Sequence, residues 1–167
     1  NMQEILKDLP DKLPSNMLNV IKNLEGVRIV KQDVFECTIS FICSSNNNIE
    51  RIKKMLNTLR EKYGDILLED NNEKYGKIYA FPTMKVLKKN LTEDKLRDLG
   101  YGYRAKYIVN SLQLIEKEGE NWLYELNGKE DIWEELIKLS GVGRKVADCI
   151  SLFSLRKHQI VPLDIHM

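Results

Sequence analysis

The 167-residue sequence predicts a mainly helical domain with little or no strand, on three observations. Apolar residues recur at helical spacing almost throughout, cap and terminator residues punctuate that pattern, and β-rich alternating runs are scarce. The length suits one domain with its own core. With 43% hydrophobic and 31% charged residues, 9 Gly and 4 Pro, the chain is neither low-complexity nor disordered by composition. No apolar run approaches the ~18 residues of a membrane span, so a soluble globular domain is expected. A formal net charge of +1, from 26 Lys+Arg and 25 Asp+Glu, names no partner by itself. The start at Asn1 and the stop at Met167, just after an apparent helix start, suggest a fragment, and no secretory signal pattern is visible in it.

Element by element, Val27–Val30 is the best strand candidate, and it is short. Asp33 followed by Glu36 resembles a capping box at the head of an apolar helix over Val34–Cys43, predicted to be central and buried. Ser44-Ser45-Asn46-Asn47-Asn48 interrupts it with five consecutive cap-and-turn residues. A second helix follows, with Ile49, Ile52, Leu56 and Leu59 on one stripe and Gly64 just past its end. Residues 69–74 read as a surface loop. Pro82 can open a short helix through Leu87, Thr92 caps a stretch ending near Gly100, and Ala105, Ile108, Leu112 and Ile115 mark a long amphipathic helix that Gly119 terminates.

Charge is segregated although its sum is near zero. Residues 51–62 carry a local +4, residues 85–106 another +4, and residues 116–135 a local −6. Each run reads as a solvated face when taken singly, yet together they permit one basic and one acidic surface. Cys37, Cys43 and Cys149 have no paired metal spacing and read as reduced, buried thiols of a cytosolic or nuclear protein. No metal or cofactor is expected.

The last forty or so residues carry the chemistry. An amphipathic helix through Ile132, Leu136 and Leu139, flanked by Trp133 and Ile137, runs into Gly141-Val142-Gly143, and a second helix carries Val146, Ile150 and Phe153. The predicted hairpin spans 132–154. Its glycines permit positive φ or close backbone approach, Val142 can plug the space between the helices, and the N–H groups at the second helix's start suit one phosphate. An ordinary helix–helix turn is the competing interpretation. Lys145 lies in the first turn of that helix, where the dipole disfavours a cation and a lysine pKa is expected to fall. A neutral lysine can form a Schiff base with carbon at the aldehyde level; a solvated lysine is the plainer alternative. Asp164 is placed to cap a helix beginning at Ile165, and a carboxylate there can also stabilise developing positive charge.

The runs Leu139-Ser140-Gly141-Val142-Gly143-Arg144-Lys145-Val146-Ala147-Asp148-Cys149-Ile150 and Val161-Pro162-Leu163-Asp164-Ile165-His166-Met167 resemble the helix-hairpin-helix DNA glycosylases. With Phe41-Ile42-Cys43-Ser44-Ser45-Asn46-Asn47-Asn48-Ile49 and Leu99-Gly100-Tyr101-Gly102-Tyr103-Arg104-Ala105-Lys106-Tyr107, they look most like the eukaryotic-type 8-oxoguanine DNA glycosylase/AP lyase family. The likeness covers about residues 25–167, the truncated glycosylase core, and is looser over 1–24, a helical lead-in.

That resemblance implies the roles that follow. Lys145 is the amine that attacks C1′, releases the base and supports β-elimination, and Asp164 stabilises oxocarbenium-like charge. Gly141, Val142 and Gly143 anchor the DNA backbone, and His166 lies near a phosphate of the flipped nucleotide. Asn46, Arg51 and Arg104 surround the cytosine opposite the lesion; from the residues alone, each arginine reads equally as a surface charge and Asn46 as a helix cap. Cys149, one turn after Lys145, pairs with it as thiolate and ammonium beside the oxidised base, where a buried thiol fits the sequence equally well. Asp148 is a second possible charge partner of Lys145, held as structural.

The implied partner is double-stranded DNA containing an oxidised purine, bound by a monomer with no membrane association, in the nucleus with the mitochondrion as second compartment. The basic segments are expected near DNA, with 116–135 facing away. A related glycosylase for oxidised pyrimidines and a non-catalytic helix-hairpin-helix DNA-binding module remain as alternatives.

Overall fold

The computed structural model describes residues 14–24, 26–69 and 76–164. The chain divides into two compact units, residues 1–30 and 31–167. In the first, Met17 and Val20 of helix α1 (Ser15–Asn23), and Leu24 just past its end, are exposed. Val27–Val30 forms no strand, contrary to the sequence expectation, and its Val27, Ile29 and Val30 are exposed. β-branched residues favour a strand only when a partner supplies the ladder, and this run pairs with none among the described residues.

The second unit is built around α2 (Val34–Ser44), which packs against α3 (Ile49–Tyr63), α6 (Arg104–Glu118) and α9 (Arg144–Phe153). Its Cys37, Ile39, Ile42 and Cys43 are wholly buried, as the apolar run predicts. The Asp33 carboxylate accepts from the N–H groups of Phe35 and Glu36, so the cap half of the capping box forms. Glu36 instead pairs with Arg60 at 2.5 Å, and Tyr124 Oη donates to the other Asp33 oxygen. On α3 the buried stripe is Met55, Leu56 and Leu59 with Ile52 partly buried; Ile49, expected on it, is exposed because it occupies the first position of the helix, beyond the reach of the core.

The strand content is an antiparallel hairpin of β1 (Ile66–Glu69) and β2 (Lys77–Tyr79). Of the predicted surface loop 69–74, residues 70–74 lie outside the described residues. Gly64 ends α3 with extended backbone, and glycine is needed there because a Cβ would overlap the Ala80 carbonyl oxygen.

The helix expected to open at Pro82 starts two residues later and runs further, as α4 (Met84–Asn90), where Thr83 is the cap because its hydroxyl accepts from the Val86 N–H. Thr92 caps α5 (Glu93–Asp98) in the same way. Ala105, Ile108, Leu112 and Ile115 of α6 are buried, and Gly119 stops that helix at φ 113°. A short α7 (Trp122–Glu125) and a 3-10 turn (Leu126–Gly128) lead to α8 (Ile132–Leu136), which packs against α9. No helix among the described residues is long and apolar enough to cross a membrane.

Candidate active site

The turn between α8 and α9 is built by its two glycines in different ways. Gly141 has φ 79°, and a Cβ there would lie 2.5 Å from Cδ2 of the Tyr107 ring, so both conformation and space demand glycine. Gly143 has extended backbone (φ −98°, ψ −172°) and nothing within 4 Å of a Cβ position, so neither requirement applies. Val142 is buried between the helices as expected. The N-cap of α9 is Gly143, which has no side chain to offer the leading N–H groups, and a helix start of that kind suits an anion.

Lys145 occupies the first turn of α9, and its Nζ donates toward Asp164 Oδ2 at 2.8 Å. The side chains are 41% and 35% exposed, so the pair is reachable from solvent and is worth little as a stabilising contact. Residues 154–164 carry no helix or strand, and this segment brings Asp164 back to α9 across nineteen positions of sequence. Of the two carboxylates considered for Lys145, Asp164 is the one in ion-pair contact. Cys149 lies one turn along α9 and is 4% exposed. Burial pushes its thiol up; Lys145 opposes that and Asp148 and Asp164 reinforce it, so the neutral thiol is favoured.

Across from the hairpin stands the turn after α2. Asn46 is left-handed (φ 43°) and exposed, and the cap of α3 is Asn48, which accepts from the Arg51 N–H. Arg51 is exposed and donates through Nη2 to Gly100 O at 3.0 Å. Arg104 is not a surface charge: it is 2% exposed. Its Nε donates to Ser45 O at 2.9 Å, and its Nη2 donates to Ser45 O and, at 2.7 Å, to Asn46 O. His166 lies outside the described residues.

A cleft of about 570 Å³ runs between these parts, lined by Ser45, Asn46, Gly141, Gly143, Lys145 and Asp164 among others. Five of the ten sequence-predicted site residues thus line one cavity. Val142 supports it from the core, Cys149 lies behind Lys145, Arg104 holds its far wall, and Arg51 stands beside Gly100. Sequence reasoning assigned no role to Tyr103 or Tyr107. Tyr103 Oη donates to Ser45 O at 3.1 Å, and Tyr107 backs Gly141. Their position four apart at the head of a helix was the available signal. No group of His, Cys, Asp and Glu among the described residues could hold a metal ion.

The family described as HhH-GPD superfamily base excision DNA repair protein matches residues 39–167. An N-glycosylase/DNA lyase of Saccharomyces cerevisiae is 39% identical over 175 residues, covering 97% of this chain and 46% of the relative. N-glycosylase/DNA lyase OGG1 of Arabidopsis thaliana is 40% identical over 175 residues, covering 100% of this chain and 46% of that protein. The Clostridium acetobutylicum 8-oxoguanine glycosylase/lyase, crystallised with double-stranded DNA containing cytosine opposite 8-oxoguanine, superposes with a TM-score of 0.80 at 37% identity, over 98% of this chain and 53% of that one. The chain therefore spans about half the length of the relatives it matches.

Proposed function

Because the chain belongs to the HhH-GPD superfamily of base excision DNA repair proteins, we propose that it forms the lysine-bearing core of an N-glycosylase/DNA lyase that removes 8-oxoguanine opposite cytosine. The observation that carries this reading is the Lys145–Asp164 contact of 2.8 Å at the floor of an open cleft. The glycosidic bond is occluded in stacked duplex, so the damaged nucleotide must be extruded into such a cleft.

In the proposed reaction Asp164 takes the proton that Lys145 must lose, and the free amine attacks C1′. The glycosidic electron pair leaves with the base, to which Asp164 returns that proton, and the carboxylate so regenerated stabilises positive charge at the sugar. Opening of the sugar ring gives a Schiff base at C1′, which acidifies C2′–H; loss of that proton expels the 3′-phosphate. Gly141–Gly143 and the uncapped start of α9 hold a backbone phosphate, positioning without reading sequence. Asn46 and Arg51 serve the cytosine, whose Watson–Crick edge offers N3 and O2 acceptors and an N4 donor, and the enclosed Arg104 serves it indirectly by holding the Ser45 and Asn46 carbonyls. The buried thiol of Cys149 acts as a neutral wall beside Lys145. The choice of 8-oxoguanine draws on the likeness to the Clostridium enzyme.

Borohydride trapping on the full-length protein tests this. An adduct with an 8-oxoguanine·cytosine duplex that disappears in Lys145→Gln, and forms about 10²- to 10⁴-fold more slowly in Asp164→Asn, is expected. An adduct only with oxidised-pyrimidine duplexes would reassign the substrate. Binding without any adduct would leave a DNA-binding module.

A further inference from the structure

Both walls of the cleft are fastened to one helix, at successive turns of a single face. At the head of α6, Tyr103 Oη and the Arg104 guanidinium hold the Ser45 and Asn46 carbonyls. One turn on, the Tyr107 side chain fills the space beneath Gly141, so closely that a Cβ there would fall 2.5 and 2.7 Å from two ring atoms and 2.9 Å from the Tyr107 Cβ. A further turn on, Ser111 Oγ, wholly buried, donates to Ser140 O at 3.1 Å. Residues 103, 107 and 111 are spaced i, i+4, i+8 and form one stripe. The rings of Tyr103 and Tyr107 meet edge-to-face with centroids 5.5 Å apart, and Arg104 lies over Tyr103 at 4.6 Å. Packed contacts therefore run without a gap from the Asn46 wall to the hairpin wall.

We propose that α6 is a strut that fixes the width of the cleft, and that Tyr107 is a positioning residue that couples the Ser45–Asn46 wall to the Gly141 hairpin carrying Lys145. Neither wall can shift alone without opening the ring-to-ring contact or losing the carbonyl bonds. Close packing transmits such a shift in place of absorbing it. The consequence for reactivity rests on the glycosylase/lyase reading: a wall that fails to seat on the opposite base moves the hairpin, and with it the amine. Selection of the opposite base thereby acts on the rate at Lys145 through a side chain that lines neither position.

Amide hydrogen exchange on the full-length protein tests the coupling without relying on activity. In Tyr107→Leu, exchange at residues 45–47 and at 140–143 is expected to accelerate together, by roughly 2- to 30-fold. Tyr107→Phe, which keeps the ring, is expected to match the unsubstituted protein at both walls. Acceleration confined to 140–143 overturns the strut. Should Tyr107→Leu lose its fold, Ser111→Ala removes only the hydroxyl on Ser140 and is expected to loosen both walls in the same sense; loosening of one overturns the proposal. The second readout is borohydride trapping at saturating protein, with cytosine or adenine opposite the lesion. Tyr107→Leu is expected to narrow the cytosine-over-adenine ratio by a similar factor, with Tyr107→Phe restoring it. A purely structural role would lower both rates alike, and that outcome refutes the link to opposite-base selection. An unsubstituted protein that traps no duplex refutes the glycosylase/lyase reading instead, and the exchange data still decide the strut.

Discussion

The two glycines of the α8–α9 turn allow folding and DNA binding to be separated by one methyl group each. In Gly141→Ala the new Cβ must occupy left-handed backbone, at about 1–2 kcal/mol. It must also displace a ring lying 2.5 Å away, an overpacking worth about 1–3 kcal/mol. The lower entropy of the unfolded alanine chain returns about 0.4–1 kcal/mol, leaving a net loss near 3 kcal/mol, a sizeable share of the 5–15 kcal/mol typical of a domain. Gly143→Ala meets neither obstacle, so the entropy gain of about 0.4–1 kcal/mol stands alone and stability should rise slightly. Its methyl nevertheless enters the approach to the uncapped N–H groups of α9, and affinity for duplex is expected to fall about tenfold, or ~1.4 kcal/mol. Urea unfolding followed by circular dichroism measures the first quantity, and fluorescence anisotropy with a fixed-salt duplex the second. Equal stability losses in the two variants, or unchanged binding by Gly143→Ala, would refute the reasoning.

Other consequences follow from buried groups. Burial raises Cys37 to about 11 and Cys43 to about 12. The unfolded chain binds fewer protons than the native one above the ordinary thiol pKa of about 9, so each thiol's contribution is complete below pH 9 and falls by at most ~1.4 kcal/mol per pH unit until its folded value is passed. Urea midpoints between pH 8 and 11 should therefore decline, less steeply in Cys43→Ala, and a flat profile would contradict the burial. Asp33→Ala removes the oxygen that accepts from two N–H groups at the head of α2, together with the Tyr124 bond, and should cost about 1–3 kcal/mol by the same unfolding measurement. Arg104→Lys keeps the charge but not the fork that spans two carbonyls; it should reduce the cytosine-over-adenine trapping ratio and also destabilise by about 1–3 kcal/mol. A variant with unaltered ratio and stability would show that the carbonyl bonds are dispensable.

What was legible in the sequence was what local chemistry dictates. The Asp33 cap, the buried run of α2, the Gly119 stop and the Gly-Val-Gly turn each follow from residue type and spacing, and each stands in the structure. The missed features depend on distant neighbours. Ile66-Leu67-Leu68 is a strand because residues 77–79 return beside it, whereas Val27–Val30, equally suited by composition, has no such partner among the described residues. Arg104 looks like any surface arginine until the carbonyls of Ser45 and Asn46, fifty-nine and fifty-eight residues away, are seen to surround its guanidinium. The meeting of Lys145 with Asp164 was foreseeable only as two residues able to serve one carbon; the irregular segment that joins them carries no periodic signal.

The ion pairs among the basic residues bear on how tightly any polyanion can be held as salt is varied. The two basic segments contain five and seven cations, yet Lys53, Arg60, Lys88 and Arg97 already face Glu50, Glu36, Glu116 and Glu93, and Arg104 is enclosed. A cation that keeps its own carboxylate displaces no counterion from DNA. The dependence of log K on log salt contributed by these segments should accordingly be no steeper than about −6, the slope for roughly seven phosphates.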